Sequence, residues 1–143
     1  PKDWPGKFQA IPWVFAEMIR RIAPGEPVVL AVQNAAHMIK ARRVLERCGV
    51  DLRRVEFLIV ELDRGWLRDC APFFVKNAAG AVEARSFAFN AWANYDNFAR
   101  DAAYPAVIAE HLAIPATVPV HNHRIPVLEG GAVDSNGQGT VLV

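Results

Sequence analysis

The sequence predicts an α/β fold, because segments with helical spacing alternate with short apolar runs along the chain. Two of these runs, residues 27–32 and 55–60, have the length and composition of strands, and the first is uniformly apolar, which predicts burial on both faces. Each run follows a predicted helix. The chain has 143 residues, of which 52% are hydrophobic, and this is enough for a globular core. We therefore expect a single domain over residues 1–143.

Three helices are predicted from hydrophobic spacing and from their end signals. Apolar residues recur at helical spacing in the first, and they are Ile11, Val14, Phe15, Met18, Ile19 and Ile22. They predict one buried face. Asn34 is a plausible N-cap for the second helix, which Gly49 ends. The third helix is predicted over residues 101–112, with Pro105 in its first turn, where proline is tolerated.

The remaining segments favour short strands and turns. Residues 73–76 and 81–89 are predicted to form a hairpin around residues 77–80, which contain Asn and Gly. Residues 117–120 and 125–128 are predicted to be short strands. A turn at residues 135–137 precedes a final apolar strand.

The stretch from residue 62 to residue 72 lies between two predicted strands, yet it carries Trp66, Arg68 and Asp69. Plain connectors favour Gly, Asn, Ser and Pro. An indole three residues from a carboxylate suits a flat cation such as guanidinium, which stacks on the ring and donates to the carboxylate. Alternatively, Trp66 covers the core and Arg68 forms a solvated ion pair with Asp69, worth little. The residues alone leave both interpretations open.

Composition excludes several classes of protein. The formal net charge is +1, without a long run of either sign, so no nucleic-acid surface is predicted. No apolar run reaches the roughly 18 residues of a membrane helix, and no membrane partner is expected. Cys48 and Cys70 are isolated, which favours reduced thiols and a cytoplasmic setting.

Two other chemistries are less favoured. A Cys–His hydrolase could use Cys70 with His121 or His123, but a lone cysteine is more typically a small core residue. The two histidines, i and i+2 beside prolines, could bind a metal, but this pattern is more typical of a surface. We expect no metal and no cofactor.

Three blocks in the chain resemble the agmatine deiminase and Porphyromonas-type peptidyl-arginine deiminase family, part of the guanidine-modifying superfamily. The first block reads Asp63-Arg64-x-Trp66-x-Arg68-Asp69-x-x-Pro72. The second reads Phe89-Asn90-Ala91-Trp92-Ala93 with Asp96-Asn97. The third reads Leu128-Glu129-Gly130-Gly131, followed by Gly137-x-Gly139-Thr140. Their order matches that of the family, and together they span about half of the chain.

This resemblance implies a pentein-like, five-bladed α/β propeller, of which the chain would supply about two ββαβ blades. It implies hydrolysis of a guanidinium group with release of ammonia, as in agmatine to N-carbamoylputrescine or peptidyl arginine to citrulline. The family uses a cysteine nucleophile and a histidine acid/base, and both are expected downstream of residue 143. The chain is therefore expected to be an N-terminal part, inactive alone, with no catalytic residue of its own.

The resemblance also assigns roles to individual residues. Asp69 would grip the guanidinium, Trp66 would form a wall and Glu129 would lie at the floor of the site. Asn90, Trp92 and Asp96 would belong to a substrate-side loop. The expected supporting residues are Asp63, Arg68, Gly130 and Gly131, and Arg68 is expected to pair with a carboxylate, with Glu129 as one candidate.

Two departures leave the substrate open between agmatine, peptidyl arginine and another guanidine. The loop from Asn90 to Asp96 lacks the glycines associated with agmatine deiminases, and Arg64 stands where those enzymes usually carry a second aspartate. The alternatives to a deiminase are a guanidinium-binding module without turnover and an assembly fragment whose final strand pairs with another chain. Homo-oligomerisation is a further open point.

Overall fold

The computed structural model describes residue 6 and residues 8–143 of the chain. The described residues form a mixed α/β structure, as predicted, divided into two compact units at residue 61. Its sheets are small, with two, three and two strands, and none of them closes within the described residues. The single domain expected from the sequence stays a prediction.

The first unit is built around a parallel pair of strands. Helix α1 (Ile11–Ile22) precedes β1 (Val28–Val32), helix α2 (Ala35–Arg47) crosses over, and β2 (Val55–Ile59) returns parallel to β1. A 3-10 turn, Leu52–Arg54, leads into β2. Parallel neighbours need a crossover of this kind. The Asn34 side chain accepts a hydrogen bond of 2.9 Å from the His37 N–H, which confirms the predicted N-cap of α2.

The predicted buried face of α1 is wrong in most of its members. Ile19 is buried, but Met18 and Val14 are 53% and 52% exposed. The helix instead buries Ala16, Ile19 and then Ala23, with Leu45 and Val55 in the same core. Within this unit α1 packs chiefly against α2, and a single helix covers only the line of α1 that holds Ala16 and Ile19.

The second unit carries the hairpin and the longest loops. Strands β3 (Phe73–Lys76) and β4 (Val82–Arg85) are antiparallel, and β5 (Ala116–Thr117) runs parallel to β4. A final hairpin joins β6 (Asp134–Ser135) to β7 (Val141–Leu142). The strand predicted over residues 81–89 is shortened to β4 and that over 117–120 to β5, and no strand forms over residues 125–128. Only a parallel bridge between Ala88 and Val127 links the first of these segments to the last.

Helix α4 (Ala99–His111) begins two residues earlier than predicted. The cause lies far away in the chain, because the Asp63 carboxylate accepts a hydrogen bond of 2.9 Å from the Arg100 N–H and so supports the helix start. Pro105 is therefore the seventh residue of the helix, inside it and not in the first turn. In the described part of the chain, no helix is long and apolar enough to cross a membrane.

Candidate functional site

Two glycines bring the third sequence block directly against the first. Helix α3 (Leu67–Cys70) is a single turn that follows Trp66, and it presents Arg68 and Asp69. A Cβ atom on Gly131 would lie 2.7 Å from Oδ1 of Asp69, and one on Gly130 would overlap the Arg68 carbonyl oxygen. A side chain is excluded at Gly130 by the main chain, while one at Gly131 would displace the Asp69 carboxylate, and the turn thus lies close against α3.

The position of Glu129 follows from the parallel bridge. The Ala88 N–H donates to the Pro126 carbonyl at 2.9 Å, and the Leu128 N–H donates to the Ala88 carbonyl at 3.4 Å. The segments that contain Ala88 and Val127 run in the same direction. The residues that follow the bridge, Asn90 and Glu129, therefore lie at the same end of it. Glu129 then leads into a 3-10 turn, Gly130–Ala132, which packs on α3.

Glu129 and Asp69, called the acidic pair below, are close enough for the charge of Asp69 to act on Glu129, and neither makes an ion pair with a described cation. Oε1 of Glu129 is buried and has no hydrogen-bond partner among the described residues. Burial, and after it the negative charge of Asp69, raise the pKa of Glu129. The expected pairing of Arg68 with Glu129 does not form, because the exposed Arg68 side chain makes no ion pair in the described part of the chain. A cationic ligand would relieve this arrangement.

Three rings, Trp66, Trp92 and Tyr95, form an aromatic cluster in the second unit. Trp66 stacks on Trp92 with ring centres 6.5 Å apart, and Tyr95 meets both edge-on at 5.9 and 6.1 Å. Trp92 is 65% exposed, so one side of the cluster faces solvent. The Tyr95 hydroxyl is buried and makes no hydrogen bond to any described residue.

A guanidinium group of the chain itself already lies on this aromatic cluster. The Arg64 Cζ atom lies 4.0 Å from the Tyr95 ring centre and 5.7 Å from that of Trp66. Its Nη2 donates to Oδ1 of Asn97 at 3.0 Å. Stacking of this kind contributes about 0.5–1 kcal/mol at an exposed site and more when the cation is desolvated. Trp66, which lies three residues before Asp69 in the sequence, therefore already contacts a guanidinium group of the chain itself.

A second pair of carboxylates ties the first block to helix α4. The backbone N–H groups of Asp63 and Arg64 donate to Oδ1 of Asp101 at 2.8 and 3.3 Å. Asp101 is 3% exposed. In return, Asp63 accepts from the Arg100 N–H, so the two segments bind each other reciprocally. The sequence does not single out Asp101, because an acidic residue in a first helical turn is common.

The thiols and histidines do not form a reactive centre. Cys70 is free and 4% exposed, and burial, followed by the charge of Asp101, raises its pKa to about 12. Cys48 is also free. His121 and His123 lie on an exposed turn closed by backbone bonds between His121 and Arg124. Across residues 8–143, no group of three side chains is placed to hold a metal ion.

Most of the predicted site residues fall into two groups, and Asp63, which belongs to neither, accepts a hydrogen bond at the start of α4. Asp69, Glu129, Gly130, Gly131 and Arg68 meet around α3, while Trp66 and Trp92 belong to the aromatic cluster. Asn90 and Asp96 are exposed in the loop that carries Trp92. Tyr95, Asn97 and Asp101 are the additional residues that the geometry brings in.

Comparisons with known proteins agree on one family. The family model for Porphyromonas-type peptidyl-arginine deiminase matches residues 1–143. A candidate agmatine deiminase of Streptomyces coelicolor is 37% identical over 129 residues, which cover 90% of this chain and 35% of that protein. One from Streptococcus mutans is 32% identical over 130 residues, covering 90% of this chain and 34% of that protein.

Solved structures agree on the fold. The agmatine deiminase of Enterococcus faecalis matches 99% of this chain and 37% of its own, at 24% identity and a TM-score of 0.80. A Campylobacter jejuni agmatine deiminase with substrate bound matches 97% of this chain at a TM-score of 0.74 and 22% identity, over 38% of its own length. This chain therefore spans about a third of the length of these proteins. The chain belongs to the Porphyromonas-type peptidyl-arginine deiminase family.

Proposed function

We propose that Asp69 and Glu129 bind the guanidinium group of a substrate, and that the protein carrying this chain hydrolyses that group with release of ammonia. The observation that carries the proposal is the acidic pair itself. Oε1 of Glu129 is buried and has no partner in the described part of the chain, and the charge of Asp69 helps to raise the pKa of Glu129. Family membership indicates which cation fits.

A guanidinium ion suits two carboxylates better than an ammonium ion does. It stays charged at any pH at which proteins are folded, and its planar N–H groups can donate to two carboxylates at once. Each such charge-assisted hydrogen bond contributes about 1.5–3 kcal/mol. Binding would also offset the repulsion between Asp69 and Glu129, because a positive charge would then lie near both.

The other predicted residues have supporting roles in this proposal. Gly130 and Gly131 let the turn after Glu129 approach α3, and Asp63 fixes the start of α4. Trp66 and Trp92 are proposed as aromatic walls on the substrate side. Arg68 does not neutralise the acidic pair. Asn90 and Asp96, exposed on the loop that carries Trp92, are proposed as contacts to the remainder of the substrate.

The bond-breaking step needs groups other than Cys70. In the family, a cysteine thiolate attacks the guanidinium carbon, ammonia leaves and water releases the product, with a histidine as general acid/base. A thiol with a pKa of about 12 carries almost no thiolate at neutral pH. We propose that other residues of the native protein supply both groups. Residues 1–143 alone should bind arginine no more tightly than roughly millimolar and release no ammonia.

A guanidinium-binding module without turnover is the second candidate function. The observation that favours it is the state of Cys70. This cysteine directly follows Asp69 in the chain, but burial keeps its thiol protonated, so it cannot act as a nucleophile on a bound guanidinium. Ammonia release separates the two candidates, because only the deiminase produces it. For both candidates we propose a cytoplasmic protein without a metal or an organic cofactor.

The test combines binding and turnover in protein purified at its native length. Calorimetric titration with L-arginine and with agmatine would be run on the wild type, Asp69→Asn and Glu110→Gln, followed by an ammonia-release assay. Glu110 is the matched control, because it is an exposed carboxylate near the far end of α4, about 16 Å along the helix from Ala99.

We expect Asp69→Asn to weaken binding of the preferred guanidine at least tenfold, while Glu110→Gln leaves it within twofold of the wild type. Turnover of agmatine but not of an arginine peptide would assign the substrate, and the reverse result would assign peptidyl arginine. Equal affinities in the wild type and Asp69→Asn would refute the proposed site.

A further inference from the structure

Asp101 is a buried carboxylate in the first turn of α4, yet it accepts hydrogen bonds from residues outside its own helix. An acidic residue at this place usually accepts from N–H groups at the start of its helix or faces solvent. Here Oδ1 accepts instead from the N–H groups of Asp63 and Arg64, 38 and 37 residues earlier in the chain. A carboxylate that is only 3% exposed is tolerated because these donors compensate for lost water.

The charge of Asp101 also acts at the far end of the segment 63–70. This charge is the second cause, after burial, of the raised pKa of Cys70, which directly follows Asp69. Tyr104 lies one turn further along the same face of α4, is buried, and has its pKa raised by burial and then by Cys70. In agreement with this, the first turns of α4 contact α3 directly.

These contacts enclose the residues of the proposed site. Between the amide groups held at Asp63 and Arg64 and the buried Cys70 lie only residues 65–69, which include Trp66 and Asp69. Five residues fixed at both ends have few conformations left. The same bonds hold the Arg64 backbone, from which its guanidinium reaches the Tyr95 ring.

We infer that Asp101 is a positioning residue for the guanidinium site, holding the stretch 63–70 so that Trp66 and Asp69 stay in place. The inference rests on the proposed function of Asp69. It concerns a residue that would not touch the substrate and would act through the backbone of its neighbours.

The first measurement does not depend on any ligand. Hydrogen exchange followed by mass spectrometry would compare a peptide covering residues 62–70 in the wild type, Asp101→Ala, Asp101→Asn and Ile108→Ala. Ile108→Ala is the matched control, because Ile108 is buried in α4 at 6% exposure and lies two helical turns beyond Asp101. It loosens the same helix and leaves the bonds to residues 63 and 64 intact.

Asp101→Ala should speed exchange in this peptide at least tenfold, and Asp101→Asn about threefold, since a neutral amide oxygen still accepts but more weakly. Ile108→Ala should change exchange there by less than twofold, although it lowers the melting temperature. If Asp101→Ala does not fold, the comparison of Asp101→Asn with Ile108→Ala decides. Equal exchange in these two variants would overturn the inference.

The second measurement is calorimetric titration of the same variants, at native length, with L-arginine and with agmatine. The affinity for the preferred guanidine should fall at least tenfold in Asp101→Ala, about threefold in Asp101→Asn, and by less than twofold in Ile108→Ala. A wild type that binds neither ligand would refute the proposed function and this inference with it. A wild type that binds while Asp101→Ala binds equally well would overturn the inference alone.

Discussion

Replacing Gly131 by alanine should damage ligand binding far more than it damages folding. The new Cβ atom would lie 2.7 Å from Oδ1 of Asp69, closer than Cβ contacts normally come. The atom it meets is at the end of a side chain, so Asp69 can rotate away without a shift of the main chain. We therefore expect the free energy of unfolding to fall by less than about 1 kcal/mol.

The effect on binding follows from what the rotation removes. Asp69 would lose its place opposite Glu129, and with it a charge-assisted hydrogen bond worth about 1.5–3 kcal/mol to a bound guanidinium. At 1.4 kcal/mol per factor of ten, the affinity for arginine or agmatine should fall about 10- to 150-fold.

The assay is a pair of measurements on each variant, calorimetric titration with the preferred guanidine and urea unfolding. Gly65→Ala is the matched control, because Gly65 lies in the same stretch as Asp69 and a Cβ there would meet nothing within 4 Å. It should bind like the wild type, and its stability should be equal or slightly higher, since alanine restricts the unfolded chain. Unchanged affinity in Gly131→Ala would refute the placement of Asp69 in the site.

Three further outcomes follow from the same geometry. Gly130→Ala should lower the free energy of unfolding, measured in urea, by about 1–3 kcal/mol, because the alanine Cβ would overlap the Arg68 carbonyl and the main chain would have to move. A loss no larger than that in Gly65→Ala would contradict this. In native protein at pH 8, Cys70 should react with iodoacetamide at least tenfold more slowly than in urea, given its burial and its pKa of about 12; equal rates would show an accessible thiol. Because its pKa is raised, Glu129 binds its proton more tightly in the folded chain than in the unfolded chain. The stability of the wild type, relative to that of Glu129→Gln, should therefore fall as the pH rises above about 4.3, while its affinity for the guanidine rises. Parallel curves of stability against pH for the two proteins would exclude this titration.

Local signals in the sequence were enough for the elements whose causes are local. The N-cap of α2 is an example, because Asn34 bonds a residue only three positions away. The start of α4 could not be predicted in this way, since it depends on Asp63, 37 residues from Arg100. The exposure of Met18 on α1 likewise depends on which neighbours cover the helix in the folded unit, and periodicity does not report this.

The candidate site shows the same division. Hydrophobic periodicity does not place Glu129 beside Asp69, and their proximity was expected only from the resemblance of the three blocks to one family. The contacts of Arg64 with Tyr95 and of Asp101 with the backbone at residue 63 come from loops that meet in space. No local pattern marks such partners, because only the tertiary structure brings them together.

The most direct test of the guanidinium site is a crystal structure of the protein with L-arginine or agmatine bound. We predict that guanidinium nitrogen atoms lie about 2.8 Å from carboxylate oxygens of both Asp69 and Glu129, with Arg64 still stacked on Tyr95. A ligand guanidinium that displaces Arg64 from the aromatic cluster, and leaves Asp69 and Glu129 without a contact, would contradict the account.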